Sequence, residues 1–129
     1  MSQHSQATPA TFYSDSQAIS GNLYLPENYS EHDLKFPGVV LCHGLAGIKE
    51  CLLPDFARAF AHSGMIALTF DYRGFGQSEG TRGYLIPALQ QRDIANAITF
   101  LSSYKHVDNE NIFLWGTSYG GANAIFVTA

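Results

Sequence analysis

Residues 111–120 read Asn-Ile-Phe-Leu-Trp-Gly-Thr-Ser-Tyr-Gly, an apolar run that leads directly into a Gly-x-Ser-x-Gly pattern. Small and apolar residues then continue from Gly121 to Ala129, as a helix requires. This order of strand, tight turn and helix predicts that Ser118 stands at the tip of the turn, with its hydroxyl pushed out of the backbone. The N-terminus of the helix lies behind it, with free N–H groups. Such an arrangement is typical of a nucleophile in acyl transfer.

The segments upstream of this motif predict an α/β architecture. Residues 37–42 and 65–70 are continuous apolar runs, as expected for strands that are buried on both faces. Residues 51–62 and 87–104 have the apolar spacing of helices. Strands that alternate with helices imply right-handed crossovers and a mostly parallel sheet with helices on both faces. In the first helix, the stripe that we expect to face the sheet consists of Leu52, Phe56, Ala59 and Phe60.

A hairpin is predicted to precede this parallel part. Residues 11–13 and 18–25 have strand character, and the polar residues 14–17 between them favour a turn. Residues 1–10 are expected to form a disordered lead-in. The predicted domain therefore covers residues 11–129.

The composition excludes several classes of protein. Of the 129 residues, 46% are hydrophobic and 13% aromatic, which is typical of a globular protein. The net charge of −4 and the lack of a basic run argue against nucleic acid as a partner. No apolar run approaches the length of a membrane span, and the polar first eight residues do not resemble a secretory signal. With two cysteines, Cys42 and Cys51, a disulfide framework is improbable, and we expect a cytoplasmic protein.

A second glycine-rich segment, His-Gly-Leu-Ala-Gly at residues 43–47, follows the first buried strand. Backbone N–H groups in such a turn are free to face a developing negative oxygen. We therefore interpret the N–H groups of Leu45 and Tyr119 as the two donors of an oxyanion hole. His43 precedes the serine, whereas the base of this arrangement follows it, so we interpret His43 as structural.

The glycines of the two turns are expected to stand where a Cβ atom would interfere. These are Gly44, Gly116 and Gly120.

The segment 71–78, Asp-Tyr-Arg-Gly-Phe-Gly-Gln-Ser, ends the second buried strand. We interpret it as a turn in which Arg73 pairs with a carboxylate or with backbone carbonyls. Asp93 is interpreted as a charge on the exposed face of a helix. No cluster of His, Cys, Asp or Glu has the spacing of metal ligands, so no metal site is expected.

Together, residues 39–44, 71–78 and 116–121 resemble the α/β-hydrolase superfamily, and the resemblance covers roughly residues 36–129. Within it the chain is similar to dienelactone-hydrolase-like and acyl-peptidase-like esterases. The resemblance implies an eight-stranded sheet, a Ser–Asp/Glu–His triad, no metal, no cofactor and a small-molecule acyl substrate. It places the nucleophile at Ser118 and the oxyanion donors at Leu45 and Tyr119. Dienelactone hydrolases proper carry a cysteine nucleophile where this chain has Ser118.

One feature departs from the superfamily pattern. The acid and the base follow the nucleophile in this fold, yet no Asp, Glu or His follows Ser118. We therefore expect the chain to be the N-terminal half of a hydrolase, with the C-terminal strands missing and the acid and base supplied from outside it, or else to be a homo-oligomer. The complete protein would cleave an ester, thioester or amide, or transfer the acyl group to another acceptor. The alternative is a catalytically inactive fragment or a binding pseudoenzyme.

Overall fold

Strands and helices alternate along the part of the chain that the computed structural model describes, residues 6–27, 29, 34–44 and 47–128. The strands are β1 (Ala7–Ser14), β2 (Gln17–Tyr24), β3 (Phe36–Cys42), β4 (Ile66–Phe70) and β5 (Val107–Gly116). The helices are α1 (Leu53–His62), α2 (Pro87–Ser102) and α3 (Tyr119–Thr128). This succession confirms the predicted order of a hairpin followed by strand–helix units.

The strands form one mixed sheet in the order β1-β2-β4-β3-β5. β1 and β2 pair antiparallel, and β2 pairs antiparallel with β4. β3 then pairs parallel with β4 on one side and with β5 on the other. The predicted α/β class, with an N-terminal hairpin and a parallel part flanked by helices, is therefore confirmed.

Two details of the predicted elements are wrong. β1 begins at Ala7, so residues 7–10 belong to the sheet and not to a disordered lead-in. These residues pair with residues 21–24 of β2, which supplies hydrogen bonds that the sequence of β1 alone does not reveal. Residues 1–5 lie outside the described part of the chain.

The buried face of α1 also differs from the predicted stripe. Leu53, Ala57 and Ala61 are buried, whereas Leu52 and Phe56 are exposed. The buried positions are four residues apart, so they share one face of the helix, and two of them are alanines. Small side chains there let the helix approach the sheet closely. The larger Phe56 ring instead packs on the ring of Trp115 at its margin, with centroids 4.7 Å apart.

The central strands bury both of their faces. Val40 and Cys42 of β3 belong to the apolar cluster that includes residues of α2 and α3. Val39 and Leu41 belong to the cluster under α1. Because successive side chains of a strand point to opposite faces, the continuous apolar run predicted for β3 corresponds to a core on each side.

A buried ion pair ties the hairpin to α2. The Arg73 guanidinium donates to the Asp93 carboxylate, with Nη2 2.8 Å from Oδ1, and also to Asp15 in the turn between β1 and β2. Arg73 therefore pairs with carboxylates, as predicted. The interpretation of Asp93 as an exposed charge is wrong, since its side chain is fully buried. A buried carboxylate needs a partner, and the sequence did not reveal that Arg73 supplies it.

β3 is the point at which the direction of strand addition reverses. The chain passes from β3 through α1 to β4 on one side, and then through α2 to β5 on the other. In sheets of this kind, a crevice opens at such a reversal, at the carboxyl ends of the strands. The segments that follow Cys42 and Gly116, which are register partners, flank this point of reversal.

Within the described ranges, none of the helices is both long and apolar enough to cross a bilayer.

The outer side of β5 predicts self-association of residues 1–129 prepared alone. Among the described strands β5 pairs only with β3, and Phe113 is 53% exposed. Such an edge offers unpaired N–H and C=O groups to another chain. In sedimentation velocity experiments, we expect residues 1–129 to form dimers or larger species. In Phe113→Lys, the distribution of species should shift toward the monomer.

Tyr84→Lys is the matched control, because Tyr84 is a similarly exposed aromatic residue in a loop away from this edge. An equal shift in both variants would contradict a role for the β5 edge.

Candidate active site

Ser118 occupies a strained turn between β5 and α3. Its φ angle is +54°, in the left-handed region that residues with a Cβ rarely adopt. The residue is exposed, and only Thr117 separates it from the end of β5. The side chain therefore projects from a sharp strand-to-helix turn, which is the geometry that the motif predicts for a nucleophile.

Two glycines allow this turn to be tight. A Cβ atom on Gly116 would lie 2.4 Å from the Gly120 carbonyl oxygen. A Cβ atom on Gly120 would lie 2.1 Å from the Cys42 carbonyl oxygen and 2.5 Å from that of His43. All three distances are far inside van der Waals contact with backbone atoms. The expectation that these two positions exclude a side chain is therefore supported by the packing.

Backbone hydrogen bonds join the turn to the end of β3. The Thr117 N–H donates to the Cys42 carbonyl over 3.2 Å, which extends the β3–β5 pairing by one residue. The Gly120 N–H donates to the Thr117 carbonyl over 2.8 Å. Tyr119 is the first residue of α3, a position whose N–H has no acceptor inside a helix. Its N–H is thus of the kind that an oxyanion hole uses.

The loop after β3 passes next to Ser118, but Gly44 does not have the predicted role. A Cβ atom on Gly44 would lie 3.6 Å from the Thr117 carbonyl oxygen and 3.8 Å from the Ser118 Cβ, both ordinary contacts. Among the described residues, a Cβ atom on Gly44 meets only ordinary contacts, which contradicts the expectation that this position forbids one. Leu45, the other predicted oxyanion donor, lies outside the described residues.

His43 is buried beneath this loop. Its Nδ1 lies 3.0 Å from the Gly44 carbonyl oxygen, and its ring packs edge-on against Tyr72, with centroids 4.6 Å apart. Desolvation lowers the pKa of His43 below its ordinary value of 6.5. A neutral imidazole packed in this way agrees with the structural role inferred from its place before the serine.

Cys42 is the side chain at the end of β3. It is fully buried, and burial raises the pKa of its thiol to about 12. The thiolate is the reactive form of cysteine, so this residue is inert at neutral pH. Within the described residues, no group of three or more His, Cys, Asp or Glu side chains is arranged to hold a metal ion.

A buried ion pair next to this loop was missed by the sequence analysis. Lys49 is only 2% exposed, and its Nζ lies 3.0 Å from Oδ2 of the fully buried Asp71. Nothing in the periodicity marks Lys49, which stands in an irregular loop. The available signal was topological: Lys49 follows β3 and Asp71 follows β4, and the carboxyl ends of adjacent parallel strands meet at one edge of the sheet.

The family model described as serine aminopeptidase, S33, matches residues 37–128. This stretch runs from β3 to the end of α3 and includes the turn around Ser118.

Three similar proteins illustrate the relationship. A 31.7 kDa protein from the traX–finO intergenic region of Escherichia coli is 44% identical over 111 residues, which are 86% of this chain and 39% of that protein. A thiohydrolase of Aspergillus aculeatus is 38% identical over 112 residues, which are 86% of this chain and 33% of the relative. The crystal structure of the α/β hydrolase GrgF from Penicillium superposes with a TM-score of 0.86 at 25% identity, covering 95% of this chain and 41% of that one.

The chain therefore spans between a third and about two fifths of the length of these relatives. The matched portion contains the turn of Ser118 and the loop after β3.

The packing of Gly120 predicts a large difference between two glycine substitutions. Gly120→Ala would force a methyl group into the Cys42 carbonyl, so we expect a loss of about 1–3 kcal/mol or more in unfolding free energy. Gly44→Ala has room for its methyl group and should cost well under half as much. Urea denaturation of the complete protein measures both. Equal losses would contradict the described contact between the turn and β3.

The burial of His43 predicts a pH dependence of stability. Its pKa is lower in the folded state than in the unfolded state, so the unfolded state binds the extra proton first as the pH falls. The unfolding free energy should therefore decrease below about pH 6.5, by up to about 1.4 kcal/mol per pH unit, and recover above it. Denaturant titrations of the complete protein between pH 5 and 7.5 test this.

In His43→Gln, the unfolding free energy should vary less with pH over the same range than it does in the wild type. His62→Gln is the matched control for loss of an imidazole at an exposed position. The same slope in the two variants would refute the assignment to His43.

Proposed function

Because the chain belongs to the α/β-hydrolase family described as serine aminopeptidase, S33, we propose that the complete protein is a serine hydrolase whose nucleophile is Ser118. The observation that carries the proposal is the strained φ of Ser118 in a turn closed by backbone contacts of Gly116 and Gly120. Strain of this kind persists only where surrounding structure imposes it, and it concentrates at functional sites.

In the proposed reaction, the Ser118 Oγ adds to an acyl carbonyl and a histidine takes the hydroxyl proton. The leaving group departs, and water releases the acyl group from the serine. The N–H groups of Tyr119 and Leu45 hold the negative oxygen of each tetrahedral intermediate. Losing one such donor typically raises the barrier by about 3 kcal/mol. The role of Leu45 rests on the sequence, since this residue lies outside the described part of the chain.

The acid and the base of the triad are proposed to come from outside these 129 residues. No Asp, Glu or His follows Ser118 in the printed sequence, whereas both partners follow the nucleophile in this fold. His43 does not fill this role, because it precedes Ser118 and is buried against Tyr72. The relatives, which are much longer than this chain, support a source in further sequence.

The substrate is proposed to be an ester, thioester or amide. The thiohydrolase relative supports a thioester, and the family description supports an amide. Both reactions begin with attack on an acyl carbonyl and differ in the leaving group. Whether water or another nucleophile accepts the acyl group distinguishes hydrolysis from acyl transfer.

We expect Ser118 to be the residue that a fluorophosphonate probe labels in the complete protein. The probe reacts with a serine whose hydroxyl is activated and whose oxyanion is stabilised. Labelling, located by peptide mass spectrometry, should disappear in Ser118→Ala. It should persist in Ser103→Ala, which removes an exposed serine at the end of α2.

Labelling of Ser118→Ala at the wild-type level would exclude Ser118 as the nucleophile. An ester-hydrolysis assay on residues 1–129 addresses the alternative of an inactive product. Without a histidine after Ser118, this chain should show no triad-level hydrolysis of p-nitrophenyl acetate. Full Ser118-dependent turnover by residues 1–129 would show that no outside base is needed.

A further inference from the structure

We infer that Asp71 is a positioning residue that fixes the Lys49 backbone and thereby holds residues 43–44 and 47–49, in the segment after β3, beside Ser118, an inference that rests on the proposed function. The loop leaves β3 at Cys42 and carries the proposed oxyanion donor. Its far end is fastened by the hydrogen bond from the Lys49 N–H to the buried Asp71 carboxylate, while Gly44 at its near end lies against the Ser118 turn.

The Asp71 carboxylate accepts hydrogen bonds from the loop backbone and from its side chain. Its Oδ1 accepts the Lys49 backbone N–H over 2.6 Å, and its Oδ2 accepts from the Lys49 Nζ over 3.0 Å. The same Oδ2 accepts the Gln77 N–H over 3.0 Å, and the Lys49 Nζ donates to the Gln77 Oε1 over 2.7 Å. Hydrogen bonds to an ionised acceptor are the strong kind, so this set fixes the position of the Lys49 backbone.

Asp71 is itself fixed to the sheet. It directly follows β4, and its N–H donates to the Ser20 carbonyl of β2 over 3.0 Å. Its carbonyl accepts from the Ser78 Oγ over 2.6 Å. A Cβ atom on Gly76 would lie 2.3 Å from the Asp71 Oδ2, so the carboxylate is also enclosed by backbone. The loop is thus attached to a rigid part of the fold.

The near end of the loop touches the turn of the nucleophile. The Gly44 Cβ position lies 3.8 Å from the Ser118 Cβ, and the Gly47 N–H closes a turn onto the Gly44 carbonyl over 3.1 Å. A displacement at Lys49 and Gly47 therefore reaches Gly44, beside the serine, through this hydrogen bond. Catalysis is sensitive to such shifts, since a misplacement of about 1 Å can cost about a hundredfold in rate.

If the role of Asp71 were merely structural, its substitution would alter stability and leave turnover per folded molecule unchanged. Measuring both quantities therefore distinguishes a structural role from a positioning role. In the complete protein, Lys49→Met/Asp71→Leu removes both charges and the acceptor of the Lys49 N–H. Lys49→Met/Asp71→Asn removes both charges but keeps an amide oxygen as that acceptor. We expect the Leu pair to lower kcat for a p-nitrophenyl ester at least tenfold with KM within threefold, and the Asn pair to retain kcat within about threefold.

Asp93→Asn is the matched control. Asp93 is an equally buried carboxylate in an ion pair, but among the described residues its carboxylate bonds to Arg73 and not to the segment after β3. Its kcat per folded molecule, with the folded fraction taken from circular dichroism, should equal that of the wild type.

A wild-type kcat in the Leu pair, or equal losses in both paired variants, would overturn the inference. Should the Leu pair not fold, Lys49→Met/Asp71→Ala replaces it, because it also removes the acceptor of the Lys49 N–H and adds no bulk. A kcat lowered threefold or more then supports the inference, and an unchanged kcat contradicts it. Failure of the proposed function would be distinguishable from failure of this inference, because the wild-type protein itself would then show neither ester turnover nor Ser118 labelling.

Discussion

The contact between the Ser118 turn and the end of β3 is the constraint on which the candidate site depends. The Thr117 N–H bonds to the Cys42 carbonyl, and the Gly120 backbone packs directly against the same carbonyl. Two segments that are more than 70 residues apart in sequence are joined there by backbone atoms alone. Because the joined groups belong to β3 and to the start of α3, the position of the serine is set by the sheet and not by a flexible loop.

This contact explains how an unfavourable backbone conformation is maintained at Ser118. A non-glycine residue at φ +54° is strained by an amount of the order of 1–3 kcal/mol. The helix that begins at Tyr119 and the strand that ends at Gly116 are each fixed by packing, and the residues between them have to complete the turn. The strain is therefore imposed from both sides, and Ser118 remains exposed.

Two buried ion pairs reinforce the loops that follow β3 and β4. Arg73 and Asp93 connect the segment after β4 to α2, and Lys49 and Asp71 connect the segments after β3 and β4. Loops carry backbone groups that no strand or helix satisfies, and buried carboxylates can accept several of them at once. Asp71 accepts the N–H groups of Lys49 and Gln77 in this way, and Asp93 accepts that of Arg73. In each case a cation compensates for the burial of the carboxylate.

The sequence by itself determined the strand–helix order, the hairpin, the buried central strands and the turn at Ser118, because these depend on local apolar periodicity and on closely spaced glycines. Tertiary structure decided which groups meet. The pairing of residues 7–10 with β2, the burial of Asp93 and the salt bridge of Lys49 all depend on partners distant in the chain. The sequence also did not predict that a Cβ atom would be tolerated at Gly44 but not at Gly120. Both are glycines of tight turns, and only Gly120 packs against the end of β3. Secondary-structure propensity depends on neighbouring residues. Burial and charge pairing depend on distant loops that the sheet brings together at one edge.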